Sequence, residues 1–285
     1  MDLKQIVILA VQATIICTVF SLGLKTAPAD LLYLLRQPSL LLRSMCSVLV
    51  VMPIVAVVLT SIFDVQRTAG IALIALAISP LPPLLPQRGA GGGGHESYGI
   101  ALMALLALLS IVAVPLSAEI LQLVFHRPLN VAPGAIARIA LIMAVVPLVA
   151  GAVIRGGLPA FADRIDEPVA LISKVLLPIA VVILLAATWR AALAAVGGGA
   201  IAAMSAFIVI GLAIGHLFGR PDPQHSVVLA LATACRHPAI ALTIAAANFP
   251  DENFAGTIVL YLLVNAVIGV AYVKWQQRRM TPVSA

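Results

Sequence analysis

The chain reads as an all-α polytopic membrane protein of about nine transmembrane helices, two of them discontinuous. Three observations predict this class. The 285 residues are 62% hydrophobic and only 10% charged, with a mean hydropathy of +1.13, whereas soluble domains run near 45–50% apolar and 25% charged. Apolar runs of roughly 20 residues, enough to cross a hydrocarbon core about 30 Å thick, recur along the whole length. Gly (20) and Pro (19) are plentiful, a pattern that membrane helices tolerate because neighbouring helices repair broken backbone bonds.

The runs fall at about 6–24, 39–63, 68–89, 97–125, 132–154, 168–189, 191–219, 225–249 and 253–274. Turn residues or charges separate them, as in Asp64-Val65-Gln66-Arg67 and Gly219-Arg220-Pro221-Asp222-Pro223, so no soluble domain is expected. One transmembrane domain fills residues 1–280, with a first repeat at about 1–126 and a second at about 131–280. Residues 281–285 form a short tail. Lys4 followed by an apolar stretch resembles a signal peptide, but its apolar part is longer than the usual 7–15 residues, and we read it as a retained helix.

The net charge of +6 does not indicate nucleic acid as a partner. The basic residues sit in short loops between apolar runs, where they set orientation against the lipid bilayer. On the C-terminal side lie Lys25, Arg36, Arg43, Arg88, Arg155, Arg164, Lys174, Arg220, Lys274, Arg278 and Arg279. Only Lys4, Arg67, Arg127, Arg138 and Arg190 fall on the other. The positive-inside rule then puts the N-terminus outside and the C-terminus in the cytoplasm of a cell (inner) membrane. Cys17, Cys46 and Cys235 lie in apolar segments without a Cys-x-x-Cys pair and read as small core residues.

Two runs are wrong for simple helices. The third contains Ile78-Ser79-Pro80-Leu81-Pro82-Pro83-Leu84-Leu85-Pro86, with four prolines in seven positions. Each interior proline removes a donor and clashes with the preceding turn, at a cost of about 3 kcal/mol. The eighth contains Ala232-Thr233-Ala234-Cys235-Arg236-His237-Pro238, with a cation near mid-span. A charge there costs roughly 2.5–3.5 kcal/mol on insertion scales. Being five apart, spans three and eight run in opposite directions, as expected of an inverted repeat in which each half supplies one broken helix. Irregular backbone at membrane depth survives only against protein or a water-filled cavity, so the breaks should meet. The second half-helices, predicted to start near Pro82 or Pro83 and near Pro238, would aim their N-termini at the midplane. With Arg236 as a permanent cation and His237 as a titratable group, this pattern points to a small organic anion as the bound species.

Over nearly the whole chain the sequence resembles the bile acid:sodium symporter family. The resemblance rests on Phe20-Ser21-Leu22-Gly23-Leu24, Gln37-Pro38-Ser39-Leu40-Leu41-Leu42-Arg43, Ala77-Ile78-Ser79-Pro80 and Val114-Pro115-Leu116. The closest stretch runs from Ala234-Cys235-Arg236-His237-Pro238 to Asn248-Phe249. It implies two inverted five-helix repeats, or nine helices when the first is absent. It also implies panel and core domains, and transport of organic anions, usually with sodium. The family's second crossover typically reads Glu-x-x-x-Gln-Asn. Here Ala232 stands at the glutamate position, Arg236 at glutamine and His237 at asparagine. A lost carboxylate and a gained cation argue against sodium coupling and make this a divergent member. Arg236 could replace the sodium as a fixed charge, and His237 could couple transport to protons. The candidate substrate-binding residues are Arg236, His237, Ser79, Pro80, Pro82 and Thr233. No cofactor, metal or catalytic residue is expected.

Blander readings apply to the same residues. Arg236 could pin helix-break carbonyls without touching a ligand, and His237 could simply cap the half-helix. Glu119 reads as a solvated helix end, Lys174 as a snorkelling cation and Asn265 as one interhelical hydrogen bond. The run Gly89-Ala90-Gly91-Gly92-Gly93-Gly94 matches G-x-G-x-x-G but lacks a strand before it, and reads as a hinge. Gly211, Gly215 and Gly219 recur every fourth residue, which permits close helix packing. An intramembrane enzyme would need a metal set or an activated nucleophile, yet His95-Glu96 has no second histidine at the required spacing. A non-transporting receptor leaves the two broken spans without a purpose.

Overall fold

The structure, a computed structural model, describes residues 3–125 and 133–280, and these are helical and free of strands. The expected repeat junction near 126–131, with His126 and Arg127, and the tail 281–285 lie outside the described residues, as does the side chain of Lys174.

The helices are α1 (Leu3–Lys25), α2 (Pro38–Ile62), α3 (Arg67–Ile78), α4 (Leu85–Gly91) and α5 (Glu96–Phe125). There follow α6 (133–157), α7 (Pro159–Ala194), α8 (Ala200–Phe218), α9 (Pro223–Ala234), α10 (Pro238–Asn248) and α11 (Ala255–Met280). Among the described residues, six stretches are long and apolar enough to cross a membrane: α2, α5, residues 137–157 of α6, α8, the α9–α10 pair and α11. Large apolar side chains point outward from them, Val267 at 72% and Val112 at 69% exposure, as lipid contact requires and water would penalise. The protein is an integral membrane protein.

Both interruptions foreseen from proline content are present. α3 stops at Ile78, with Ser79 extended (φ −73°, ψ 149°), and helix resumes only at Leu85. The restart is later than the expected Pro82 or Pro83, because Leu85 N bonds Pro82 O as a turn that closes before the helix begins. The glycine run is also less of a hinge than expected, since Gly89–Gly91 finish α4. α9 stops at Ala234, with Cys235 extended (φ −92°, ψ 135°). α10 restarts at Pro238, the position where a missing N–H does least harm.

A third irregularity lies in α2, where Cys46–Val51 is π-helical. Pro53 explains it: a residue without an N–H cannot continue the α pattern, and Met52 N bonds Ser47 O one residue further back than usual.

α1 packs chiefly on α6 and α7. A Cβ on Gly23 would stand 2.3 Å from Leu148 O, and one on Gly151 2.5 Å from Phe20 O, so only glycine permits this approach. Asp166 of α7 accepts from Ser21 Oγ at 2.7 Å and pairs with Lys25 at 3.2 Å. α8 lies along α9, and the expected role of its glycine stripe holds. Cβ atoms on Gly211, Gly215 and Gly219 would come within 2.9, 2.3 and 2.3 Å of the α9 backbone. α10 packs against α3, and α4 against α5 and α9. These contacts bring the two breaks side by side.

Candidate functional site

The site is built from carbonyl groups whose usual partners are missing. In a continuous helix, Ser79 O would accept from residue 83, which is proline and has no N–H. Thr233 O would accept from His237 N, but the extended break turns that N–H away toward Pro80 O at 2.9 Å and Ser79 Oγ at 3.1 Å. Val48 O, within the π segment, would look one residue further on to Pro53, again without a donor. Unpaired backbone oxygens buried away from water are costly.

Arg236 takes all three. Its Nη1 donates to Ser79 O at 3.3 Å, and its Nη2 donates to Val48 O at 3.1 Å and Thr233 O at 3.3 Å. The side chain is 1% exposed and ties together α2, the first break and the end of α9. No carboxylate pairs with it among the described residues. The guanidinium therefore sits as a cation inside a cradle of carbonyl oxygens. Its planar fork suits this, because two nitrogens can reach oxygens on different helices at once.

His237 is the N-cap of α10. Its Nδ1 accepts from Ile240 N at 3.5 Å, which leaves the ring proton on Nε2. That Nε2 and Arg236 Nε are both buried without a partner. Two neighbouring donors, one on a permanent cation, thus remain unused where polar groups are rarely left so. Acceptor chemistry would satisfy both.

The other candidate residues divide. Ser79 and Thr233 are buried, but their hydroxyls are committed. Ser79 Oγ donates to Leu76 O at 2.7 Å, and Thr233 Oγ1 donates to Leu229 O at 2.7 Å and meets Ser47 Oγ at 3.1 Å. Pro80 joins the cluster through its carbonyl. Pro82 is half-buried, and no polar contact joins it to Arg236 or His237.

Sequence reasoning missed the side chains that serve the carbonyl of Ala234 beside the break. Ala234 O, deprived of a donor by Pro238, accepts from Tyr261 Oη at 2.7 Å and Asn265 Nδ2 at 3.2 Å. Asn265 Oδ1 also accepts from Arg88 Nη1 at 3.3 Å and from Cys235 Sγ at 3.3 Å. Asn265 is therefore part of a network rather than the single interhelical bond expected, and Arg88, expected in a loop, reaches it from α4. Pro53 and Pro238 were the available signals, since each marks a carbonyl needing a donor elsewhere. Glu119, read as a solvated helix end, is exposed.

The family model of the Sodium Bile acid symporter family matches residues 13–195, more than half of the chain and including the first break. The chain belongs to that family. As a Sodium Bile acid symporter family member it is a membrane transporter of the bile acid symporter type. No curated protein matches the chain. The family match ends before α9, so the stretch around Arg236 is characterised by its geometry alone.

Proposed function

We propose that this family member carries a small organic anion across the cell membrane by alternating access, around a midplane site where its two broken helices meet. The observation that carries the reading is the guanidinium of Arg236, buried at that junction and gripped by three main-chain carbonyls. In this reading the chain crosses the membrane nine times, with the N-terminus outside and the C-terminus cytoplasmic. Two inverted repeats place α3–α4 and α9–α10 opposite one another. The group α1, α6 and α7 forms the panel against which the rest moves. Ser79, Pro80, Pro82 and Thr233 shape the site. The unused N–H groups of Arg236 and His237 mark where the substrate's acceptor oxygens bind once the junction opens.

The residues present do not fit a sodium ion at this point. Sodium seeks several oxygen ligands, and the carbonyls that converge here already serve a fixed cation. The position that the resemblance gives to a sodium-binding glutamate is Ala232. Arg236 supplies the positive charge that the ion would otherwise bring, so uptake is sodium-independent. His237 acts as a neutral donor. A proton on Nδ1 would remove the acceptor that caps α10 and set a second positive charge beside Arg236, so proton coupling through this ring is disfavoured.

The test is counterflow of labelled organic anions in proteoliposomes, chosen by thermal-shift screening of purified protein. A ligand at 100 times its dissociation constant adds about 2.7 kcal/mol to folded-state stability. Accumulation that is unchanged on replacing sodium by potassium, and unchanged by a pH gradient, is expected. Sodium-stimulated uptake would sink the fixed-cation reading, and stabilisation by no anion would remove the carrier reading itself.

A further inference from the structure

A second polar site lies away from the helix breaks, where the end of α8, the start of α9 and the last turns of α11 surround an open cavity of about 790 Å³. His216, Arg220, Asp222, Ser226, Gln276 and Arg279 line it. Its electrostatics are lopsided. Asp222 is the one acid in the lining, and its carboxylate is already engaged: Oδ1 accepts from Gln224 N at 2.7 Å and His225 N at 3.3 Å, while Oδ2 faces His225 Nδ1 at 3.5 Å. No carboxylate among the described residues pairs with Arg220 or Arg279. The Arg279 guanidinium is instead held over the Trp275 ring, 4.3 Å from its centroid. Stacking of this kind fixes the fork while leaving its N–H edge free to bind.

The walls are ordered. His216 Nδ1 meets Tyr272 Oη at 2.8 Å and Gln276 Nε2 at 3.3 Å, and Gln276 Nε2 donates to Tyr272 Oη at 3.1 Å. The His216 ring packs 6.0 Å from Trp275, so α8 and α11 are joined at the cavity's edge. From that edge an apolar surface leads away. Leu217 and Val209 are exposed along α8, and Trp275, Val270 and Val267 along α11. Leu217 and Val209 are eight residues apart, and Val267, Val270 and Trp275 are three and five apart, which keeps each set within less than half of its helix's circumference. Lys274 and Arg278, both exposed, add further positive charge in the last turns of α11.

A paired-arginine cavity at the end of a membrane bundle, continuous with an outward apolar stripe and a half-exposed tryptophan, matches an amphipathic anion. We propose that this cavity binds the phosphate headgroup of an anionic phospholipid between Arg220 and Arg279, with acyl chains lying along α8 and α11. Basic pockets between membrane helices recognise anionic headgroups through this combination of charge and apolar contact. A free phosphate would use the same arginines but make no use of the stripe, which is why the lipid is favoured. This inference does not depend on what the protein transports.

The experiment uses full-length protein, purified in neutral detergent and delipidated. It measures thermal stability and retained lipid by native mass spectrometry. Phosphatidylglycerol is titrated beside phosphatidylcholine of the same acyl chains and beside inorganic phosphate. Phosphatidylglycerol is expected to bind and to raise Tm, and the other two are not. The Arg220→Gln/Arg279→Gln double variant should lose at least about ten-fold in affinity. Arg220→Lys/Arg279→Lys, which keeps both charges but not the stacked fork, should keep the preference for phosphatidylglycerol over phosphatidylcholine at an affinity between those of the parent and the glutamine pair. Equal stabilisation by phosphatidylcholine overturns the proposal, as does equal stabilisation by inorganic phosphate, which would make this a soluble-anion site. Undiminished binding in the glutamine pair overturns it too. If the glutamine pair does not fold, a loss of selectivity in the lysine pair decides against it.

Discussion

Replacing Arg236 by methionine tests the central piece of the structure. Methionine keeps most of the length and apolar stem but returns Ser79 O, Val48 O and Thr233 O to an unpaired state. Hydrogen bonds between membrane helices are worth about 0.6 kcal/mol on average and up to about 1.7, so three of them give about 2–5 kcal/mol. We therefore expect Arg236→Met to destabilise the fold by about 2–5 kcal/mol, read from equilibrium unfolding of helicity in mixed micelles. Arg236→Lys should lose roughly half as much. A single ammonium carries the charge but cannot bridge oxygens on α2, α9 and the first break as a fork does. A methionine variant within about 0.5 kcal/mol of the parent would refute the claim that these three bonds hold the junction, since ordinary surface changes fall within that margin.

Two further outcomes follow from particular contacts. Gly215→Ala drives a methyl to 2.3 Å from Leu229 O and 2.6 Å from Ala230 Cα, so α8 must part from α9. A loss of about 1–3 kcal/mol is expected in the same unfolding assay, and an unchanged midpoint counts against the packing described. His237→Ala should cost about 1 kcal/mol through the lost α10 cap, whereas His237→Asn keeps a capping oxygen and should be nearly neutral. Yet both should weaken anion binding in the thermal-shift titration, because neither retains the buried Nε2–H. Equal affinity in parent and Asn variant would restrict His237 to capping.

The breaks were legible from sequence because proline acts locally. Four prolines within 80–86 forbid a continuous helix whatever surrounds them, whereas the single Pro238 marked a break only together with the cation before it, since Pro115 sits inside the unbroken α5. That α8 packs closely along one face was legible too, since a glycine every fourth residue presents one bare side, but the partner, α9, was not. What could not be read was the partner of each freed carbonyl. That Val48 O reaches Arg236 depends on a π segment 188 residues earlier in the chain. Its only local sign was Pro53, in a span that otherwise looked ordinary. Asn265 and Tyr261 gave still less warning, because a lone polar residue in an apolar span carries no mark of which backbone oxygen it will meet. The restart of α4 at Leu85 was misplaced because the first-turn rule for proline does not say which of several prolines begins the helix.

The prolines and the arginine act as one device, and that has a measurable consequence. Each break creates acceptors, and the buried cation is affordable because those acceptors are there. Pro238→Ala should expose the dependence. With an N–H restored at 238, α9 can continue through the break, and Ala234 O gains a helical donor in competition with Tyr261 Oη. His237 N is then drawn from Pro80 O and Ser79 Oγ toward Thr233 O, removing one carbonyl from Arg236 and one tie between the breaks. The arginine is correspondingly worth less in that background. A double-mutant cycle of Pro238→Ala with Arg236→Met should show a coupling of about 0.5–3 kcal/mol, the range for residues that share partners. The double variant should be less destabilised than the two single losses added together. Strict additivity would mean that the proline shapes the break without presenting oxygens to the cation. Arg236 would then be a charge placed beside the break for another reason.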